Sequence, residues 1–345
     1  MKGMGLVLAG GGGKGAYQIG VWKYLHEYGL DQYVQGVSGT SVGALNAALF
    51  VSGNYEKAER LWLDIEPQQI LSPRKFSAQD ILHWTGMLGG TGSALVAATN
   101  AVPVALGSAF TAAFSAMLGR RYAFSREGLL QLMRDGVDFN ALCTAPQPCF
   151  VTCLAIPQLA VRRFDIRNYT PEDTQSILLA SSAIPLIFDS VQFEGNLYCD
   201  GGLPIVGDNV PVTPIYEQGL EYIVVIHLSQ ETLVDRSRYP RAKIIEIVPR
   251  KDLGGPIDGT LDFTSKGAQW RIEQGYQDTK YIFDPFIQQI LLQGVNEKLF
   301  QQAIQRQKEF EAEHQAWQER MNESRRRMET DGFNALYSEM LEKEN

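Results

Sequence analysis

A serine at position 41 stands in the pattern Gly-x-Ser-x-Gly, formed by Gly39, Ser41 and Gly43. This pattern is typical of a nucleophile on a sharp turn between a strand and a helix, where a strained backbone exposes the hydroxyl. The flanking glycines let neighbouring chain pass close to the turn. We therefore predict that Ser41 is a nucleophile at a helix N-terminus, where the dipole favours developing negative charge. An ordinary Gly/Ser turn is the alternative, because the pattern often occurs by chance.

A second glycine-rich stretch follows an apolar run near the N-terminus. It consists of Gly10, Gly11, Gly12, Gly13, Lys14 and Gly15. Backbone N–H groups of consecutive glycines can converge on one anion, because no side chain lies in the way. We predict that the amides of Gly10–Gly13 form an oxyanion hole beside Ser41.

A serine nucleophile needs a general base, and the sequence offers two candidates. Asp200 ends a predicted strand and precedes Gly201 and Gly202, which places a carboxylate at an open turn. Such a carboxylate can act as a base when partial burial raises its pKa and still leaves it ionised. His227 would complete a Ser–His–Asp triad, but it lies in an apolar run and is better explained as a core residue. For Asp200, the alternative is a turn without chemistry.

The predicted elements would carry these residues to one edge of a sheet. Residues 1–55 alternate strand, glycine loop, helix, strand, turn and helix, which is typical of a parallel sheet with helices on its faces. The apolar run 222–228 predicts a central strand that is buried on both faces. Residues 296–330 are dense in Gln, Glu, Lys and Arg and predict a mostly solvated helix.

The stretch 81–119 contains no Asp, Glu, Lys or Arg and is rich in Ala, Gly, Ser and Thr. It is long enough to span a bilayer, but its glycines, its polar side chains and Pro103 make it only weakly apolar. We predict a helical cap over the active site, part of which contacts a membrane peripherally. A buried core segment and a transmembrane helix are the alternatives.

Composition restricts the class of protein. The chain has 345 residues and a formal net charge of −8. This acidic balance argues against nucleic-acid binding, which needs a basic face. No charged segment followed by an apolar one opens the chain, so we predict no secretory signal and a cytoplasmic location. The four cysteines match no zinc pattern and are too few for a disulfide scaffold, which predicts reduced thiols that pack in the core.

Three motifs, in this order and context, resemble the patatin-like phospholipases. They are the glycine loop 10–15, the serine turn 39–43 and the Asp-Gly-Gly turn 200–202. The similarity continues in Ala-Ser-Ser-Ala-Ile-Pro at residues 180–185 and covers roughly residues 4–230. Three independent motifs that agree in order and spacing make this resemblance specific.

The resemblance implies a three-layer α/β/α fold with a mostly parallel central sheet. The change in sequence character after about residue 250 predicts a helical C-terminal extension. Residues 1–250 would form the hydrolase domain and residues 251–345 the extension. It also implies a serine lipid acyl hydrolase, of phospholipase A or lysophospholipase type, that needs no metal or other cofactor. Ser41 would then be the nucleophile, Asp200 the base and Gly10–Gly13 the oxyanion hole, with no catalytic histidine.

Two features raise separate questions. An insertion, Leu203–Asp208, separates the Asp-Gly-Gly turn from Asn209, and this spacing is longer than the one that the resemblance implies. Lys14 is a cation at a helix N-terminus, where the dipole disfavours positive charge, so we expect it to have an anionic partner. A phospholipid phosphate and a nearby acidic side chain are the two alternatives.

Other functions compete with this interpretation. Gly10-x-Gly12-x-x-Gly15 fits the spacing of a dinucleotide-binding loop, but the second strand lacks the terminal acid that binds ribose. A P-loop is excluded because Lys14 precedes Gly15 instead of following it. A non-catalytic lipid-binding protein on the same fold and a Ser–His–Asp esterase that uses His227 stay as alternatives.

Overall fold

The computed structural model describes residues 3–70, 72–73, 124–156, 158–185, 187–231, 233–293 and 297–343. The predicted cap, residues 81–119, lies outside the described residues, so it stays a prediction. The chain divides into two compact units, of which the first contains Met1–Ser229 and Val234–Lys280, and the second Gln230–Leu233 and Tyr281–Asn345. The predicted domain boundary at residue 250 also stays a prediction.

The described residues form ten strands and ten α-helices. The strands are β1 (Met4–Leu8), β2 (Val34–Thr40), β3 (Ser72–Pro73), β4 (Phe124–Ser125), β5 (Cys149–Ile156), β6 (Ala160–Asp165), β7 (Val191–Phe193), β8 (Asn196–Asp200), β9 (Tyr222–Ile226) and β10 (Lys243–Ile247). The helices are α1 (Ala16–Glu27), α2 (Val42–Val51), α3 (Tyr55–Asp64), α4 (Pro67–Ile70), α5 (Glu127–Gly136), α6 (Phe139–Thr144), α7 (Pro171–Ser181), α8 (Val212–Glu217), α9 (Ser265–Gln293) and α10 (Glu297–Lys343). A 3-10 turn at Gly12–Gly15 and a π-helical turn at Pro256–Thr260 also contribute to the region described below.

Eight of the described strands form one sheet in the order β10-β9-β1-β2-β5-β8-β7, and β6 also pairs with β5. The strands from β10 to β5 run parallel to their neighbours. The pairs β5–β6, β5–β8 and β7–β8 are antiparallel. Helices pack against this sheet, so the predicted α/β fold with a mostly parallel central sheet is confirmed.

The central strands are apolar along their whole length. All eight residues of β5 are buried, and four of the five residues in both β1 and β9 are buried. Such continuous apolar runs are typical of strands covered on both faces. The position of β9 between β10 and β1 agrees with the central strand predicted for residues 222–228.

β2 and β8 lie end to end along one edge of β5. Thr40, the last residue of β2, pairs with Thr152, and Asp200, the last residue of β8, pairs with Cys153. β6 pairs with residues 150–155 along the other edge, which leaves a single edge for both β2 and β8. Because β8 runs antiparallel to β5, the carboxyl ends of β2 and β8 meet.

Helix α2 follows β2 directly and crosses the middle of the sheet. Nine of its ten residues are buried, and it packs against β1, β2 and β5. A helix that is apolar on all sides belongs in a protein interior. The strand and the helix on either side of residue 41 are therefore both fixed by the core.

The C-terminal helices that the sequence predicts are present as α9 and α10, and the second unit contains α10 and the part of α9 from Tyr281 onward. Within it, α10 extends over 47 residues and carries mostly polar side chains. Among the described helices, none combines the length and the apolar composition that crossing a bilayer requires.

Candidate active site

Ser41 occupies the turn between β2 and α2, with φ 57° and ψ −128°. A positive φ is uncommon for any residue other than glycine, and strain of this kind costs about 1–3 kcal/mol. The turn is held on its helical side, because the carbonyl of Ser41 accepts hydrogen bonds from the N–H groups of Ala44 (2.9 Å) and Leu45 (3.3 Å). Ser41 thus has the strained strand-to-helix geometry that the sequence predicts.

Gly39 and Gly43 permit this turn because there is no room for a side chain at either position. A Cβ atom on Gly39 would lie 2.6 Å from the backbone nitrogen of Ala44. A Cβ atom on Gly43 would lie 2.6 Å from the carbonyl oxygen of Ala9 in the neighbouring chain. Both contacts are with backbone, which cannot move aside as a flexible side chain can.

Asp200 lies at the junction of β8 with β2, close enough for its carboxylate to accept a hydrogen bond from the Ser41 hydroxyl. Its Oδ1 atom also accepts the N–H of Gly202 at 2.7 Å. Burial raises the pKa of Asp200 from its ordinary value of 3.8 to about 6, against the opposing effect of these two hydrogen bonds. At neutral pH the carboxylate is therefore mostly ionised and can accept a proton.

The glycine loop passes directly beside Ser41. A Cβ atom on Gly10 would lie 3.1 Å from the Cβ atom of Ser41 and 2.5 Å from Oδ1 of Asn209. The Gly10 N–H already donates to the carbonyl oxygen of Asn209 at 3.2 Å. Gly12 and Gly13 begin a 3-10 turn, and N–H groups at the start of a helical turn have no acceptor within it. Their amides are therefore better suited than that of Gly10 to bind an oxyanion.

Both ends of the glycine loop are held by one buried amide network. Gln18 donates to the carbonyl oxygen of Ala9 at 2.8 Å, and Asn46 donates to the carbonyl oxygen of Gly15 at 3.0 Å. Asn46 also donates to Oε1 of Gln18 at 2.7 Å and accepts the indole N–H of Trp62 at 3.0 Å. Because Asn46 belongs to α2, the network ties the loop to the helix that follows Ser41. Sequence motifs gave no indication of these residues.

The remaining predicted residues lie around this centre. The side chain of Lys14 passes along the π-helical turn, where a Cβ atom on Gly259 would lie 2.7 Å from its Cε atom. A phosphate contact for Lys14 stays a prediction. A Cβ atom on Gly15 would lie 2.5 Å from a methyl group of Val42, and one on Gly201 would lie 2.6 Å from the carbonyl oxygen of Thr152. These glycines allow close packing between the loop, α2 and β5.

An apolar cavity of about 770 Å³, counting its space open to solvent, begins at Ser41 and Gly12. It runs between α2, α3, α4 and α5. Its walls include Leu49, Trp62, Ile70, Met133, Phe188 and Phe263. Such a lining suits a hydrocarbon chain, whose transfer out of water contributes about 0.8 kcal/mol for each buried CH₂ group.

His227 contacts Glu246 on the side of β9 that faces away from Ser41. Its Nε2 atom lies 2.8 Å from Oε2 of Glu246 on β10, whereas Ser41 follows β2, two strands away in the opposite direction. Glu246 is itself buried and accepts from the N–H of Val234 (2.8 Å) and from Arg236 (3.1 Å). The ring is thus held in a polar cluster of the core, as expected for a structural histidine.

Two cysteines lie next to Asp200 but are poor nucleophiles. Burial raises the pKa of the Cys199 thiol to about 12 and that of Cys153 well above its usual range, where the Asp200 charge adds to the effect. The thiolate, and not the thiol, is the reactive form. Both cysteines therefore stay protonated, and Ser41 has no thiolate competitor beside it.

Two solved structures are similar to this chain. VipD from Legionella pneumophila is similar, with 18% identity and a TM-score of 0.48 over 82% of this chain and 66% of VipD. The type III effector protein ExoU is similar, with 19% identity and a TM-score of 0.40 over 81% of this chain and 52% of that structure. The chain thus spans just under two thirds of VipD and about half of ExoU. No curated protein matches the sequence.

A family model described as "Patatin-like phospholipase" matches residues 6–216. This stretch makes up 211 of the 345 residues and contains Gly10–Gly13, Ser41 and Asp200. The resemblance stated from the three motifs is therefore confirmed. The chain belongs to the patatin-like phospholipase family, a family of ester hydrolases.

Proposed function

We propose that this protein is a serine lipid acyl hydrolase that cleaves fatty-acyl esters of phospholipids or lysophospholipids through a Ser41–Asp200 dyad. One observation carries the proposal: a strained serine at the opening of an apolar cavity has its hydroxyl within hydrogen-bonding reach of a buried carboxylate. The family assignment supports the reaction class, and the lining of the cavity supports an acyl chain as the group bound there.

The first half of the reaction forms an acyl-enzyme. Oγ of Ser41 attacks the ester carbonyl, and its proton passes to Asp200, whose pKa of about 6 lets it accept the proton from an ionised state at neutral pH. The amides of Gly11, Gly12 and Gly13 would stabilise the resulting oxyanion, and each such donor contributes about 3 kcal/mol. When the ester bond breaks, Asp200 returns the proton to the departing alcohol.

The second half releases the fatty acid. Asp200 removes a proton from a water molecule as the water attacks the acyl-enzyme carbonyl, and the same amides bind the second oxyanion. Collapse of this intermediate breaks the bond to Oγ of Ser41, which regains the proton from Asp200. A single carboxylate therefore serves as base and acid in both halves, and no histidine takes part.

The decisive experiment is product analysis on a defined lipid mixture. Purified protein is incubated with vesicles of phospholipids and lysophospholipids, and the released fatty acids and lysolipids are quantified by mass spectrometry. We expect release by the wild type and a loss of at least a hundredfold in Ser41→Ala and in Asp200→Asn, the scale of a missing nucleophile or base. Unchanged hydrolysis in Ser41→Ala would refute the proposal.

A matched control exists on the same helix. Ser52 lies at the other end of α2, where its hydroxyl donates to the carbonyl oxygens of Ala48 (2.9 Å) and Leu49 (3.0 Å). Ser52→Ala removes a serine hydroxyl from this helix without touching the cavity or Asp200. We expect this variant to keep the activity of the wild type, which would show that the loss in Ser41→Ala comes from the nucleophile.

A further inference from the structure

Residues 181–183 hydrogen-bond to both members of the proposed dyad. The hydroxyl of Ser181 accepts the backbone N–H of Ser41 at 2.9 Å and donates to the carbonyl oxygen of Thr152 at 2.7 Å. The carbonyl oxygen of Ala183 accepts the backbone N–H of Asp200 at 3.0 Å. One three-residue segment therefore fixes the backbones of two residues that lie 159 positions apart in the chain.

The Ser181 hydroxyl is well placed to hold strained backbone. Ser41 is 5% exposed and has a positive φ, and no side chain caps the start of α2. A buried N–H group without an acceptor costs about 1–3 kcal/mol, so the N–H of Ser41 requires the partner that Ser181 supplies. Ser181 is itself fully buried, and its hydroxyl both accepts the Ser41 N–H and donates to the sheet.

The segment is also anchored at its own ends. Helix α7, which ends at Ser181, begins at a Thr170 cap whose Oγ1 accepts the N–H of Asp173 at 3.1 Å. After the helix, the N–H of Ala183 donates to the carbonyl oxygen of Ala180 at 3.1 Å. The partner carbonyl of Thr152 lies in β5, next to the residue that pairs with Asp200. The hydroxyl of Ser181 is therefore positioned by a capped helix, a tight turn and the centre of the sheet.

We propose that Ser181 is a positioning residue for the reaction, which holds the backbone of Ser41 so that its hydroxyl is directed at Asp200 and at the ester carbonyl. The inference rests on the proposed function, which assigns catalysis to the dyad. Ser181 touches no reacting atom and acts only through the Ser41 N–H. Its loss should therefore reduce the rate of the chemical step and leave substrate binding in the apolar cavity intact.

Steady-state kinetics on a soluble acyl ester test this role. We expect Ser181→Ala to lower kcat roughly a hundredfold, the effect of misplacing a reacting group by about 1 Å, with KM changed by less than about twofold. The apparent pKa of the pH–rate profile should rise, because a misdirected Ser41 hydroxyl no longer donates the hydrogen bond that lowers the pKa of Asp200. Reaction of Ser41 with a fluorophosphonate should slow by a similar factor.

Ser176 supplies the matched control, since it lies on the same helix and its hydroxyl donates only within that helix, to the carbonyl oxygen of Glu172 at 3.1 Å. Ser176→Ala should keep the wild-type kcat. Ser181→Thr retains the hydroxyl and should recover much of the rate. Ser181→Cys preserves the volume with a weaker hydrogen-bonding group, so it should show an intermediate loss even where Ser181→Ala folds poorly.

Hydrogen exchange separates this inference from the proposed function, because it needs no substrate. The amide of Ser41 should exchange slowly in the wild type and in Ser176→Ala, and much faster in Ser181→Ala. Faster exchange together with the fall in kcat supports the positioning role. Unchanged exchange, or a kcat within about threefold of wild type in Ser181→Ala and Ser181→Cys, overturns it. If Ser41→Ala hydrolysed lipid normally, the proposed function would fail, and the exchange result would still decide whether Ser181 holds the turn.

Discussion

Replacing the buried carboxylate of Asp200 should stabilise the protein while it abolishes activity. The pKa of Asp200 is about 6 in the folded chain against an ordinary value of 3.8, because burial disfavours its charged form. Between these two pKa values the folded state retains a proton that the unfolded state has released. Stability therefore falls as pH rises through this window and stays low above pH 6. The shift of about two units corresponds to about 3 kcal/mol.

Asp200→Asn removes this dependence, because an amide does not ionise. Relative to wild type, the variant should gain about 3 kcal/mol between pH 4 and pH 8, which is roughly 5 °C in Tm for a unit of this size. The quantity to measure is the difference in Tm between the two proteins along a pH series by scanning calorimetry. Every other titrating group is common to both proteins and cancels in that difference.

Ser41→Ala is the control that separates activity from charge. It should also be inactive, but it keeps the Asp200 carboxylate and removes a hydrogen bond that lowers its pKa. Its stability should therefore fall with rising pH at least as steeply as that of the wild type. A Tm difference between Asp200→Asn and wild type that is the same at pH 4 and pH 8 would refute the reasoning, since burial would then not disfavour the charged carboxylate.

Three further outcomes are expected. The value of kcat/KM should rise with pH through an apparent pKa near 6, as Asp200 ionises, and then level off. A kcat/KM that is constant between pH 5 and pH 8 would contradict the role of Asp200 as the base. Leu49 lines the cavity about 12 Å along α2 from Ser41. Leu49→Trp should therefore reduce hydrolysis of long acyl chains far more than hydrolysis of butyryl esters, and equal losses would contradict binding of the acyl chain in this cavity. His227→Gln should leave kcat within about threefold of wild type, and it should lower the free energy of unfolding by about 1–3 kcal/mol because the contact with Glu246 is lost. A hundredfold fall in kcat in a folded variant would instead support a Ser–His–Asp esterase.

The sequence predicted those parts of the site that depend on local backbone geometry. Gly39 and Gly43 are needed because a sharp turn brings their Cα atoms against backbone, and this requirement leaves a short motif in the sequence. Parallel strands joined by helices likewise follow from local periodicity. The turn at Ser41 and the central position of β9 were therefore predictable from local sequence alone.

The parts that the sequence did not reveal depend on contacts between distant segments. Ser181 is one of several serines in its region, and nothing in its neighbours indicates that its hydroxyl accepts the Ser41 N–H. Gln18 and Asn46 are amides within apolar helices, a pattern that does not distinguish a loop anchor from any other buried polar residue. The hydrogen bond from Gly10 to Asn209 depends on the course of the chain after Asp200, which local patterns do not specify.

Because β2 and β8 lie end to end along β5, the distance between Ser41 and Asp200 depends on the register of β8 against β5. A strand advances about 3.3 Å per residue, and successive side chains point to opposite faces of the sheet. A register shift of β8 along β5 therefore keeps the same side chains buried only if it covers two residues, or about 7 Å. Even one such shift would carry Asp200 out of hydrogen-bonding reach of Ser41. Changes of length within β8 are thus all-or-nothing for catalysis.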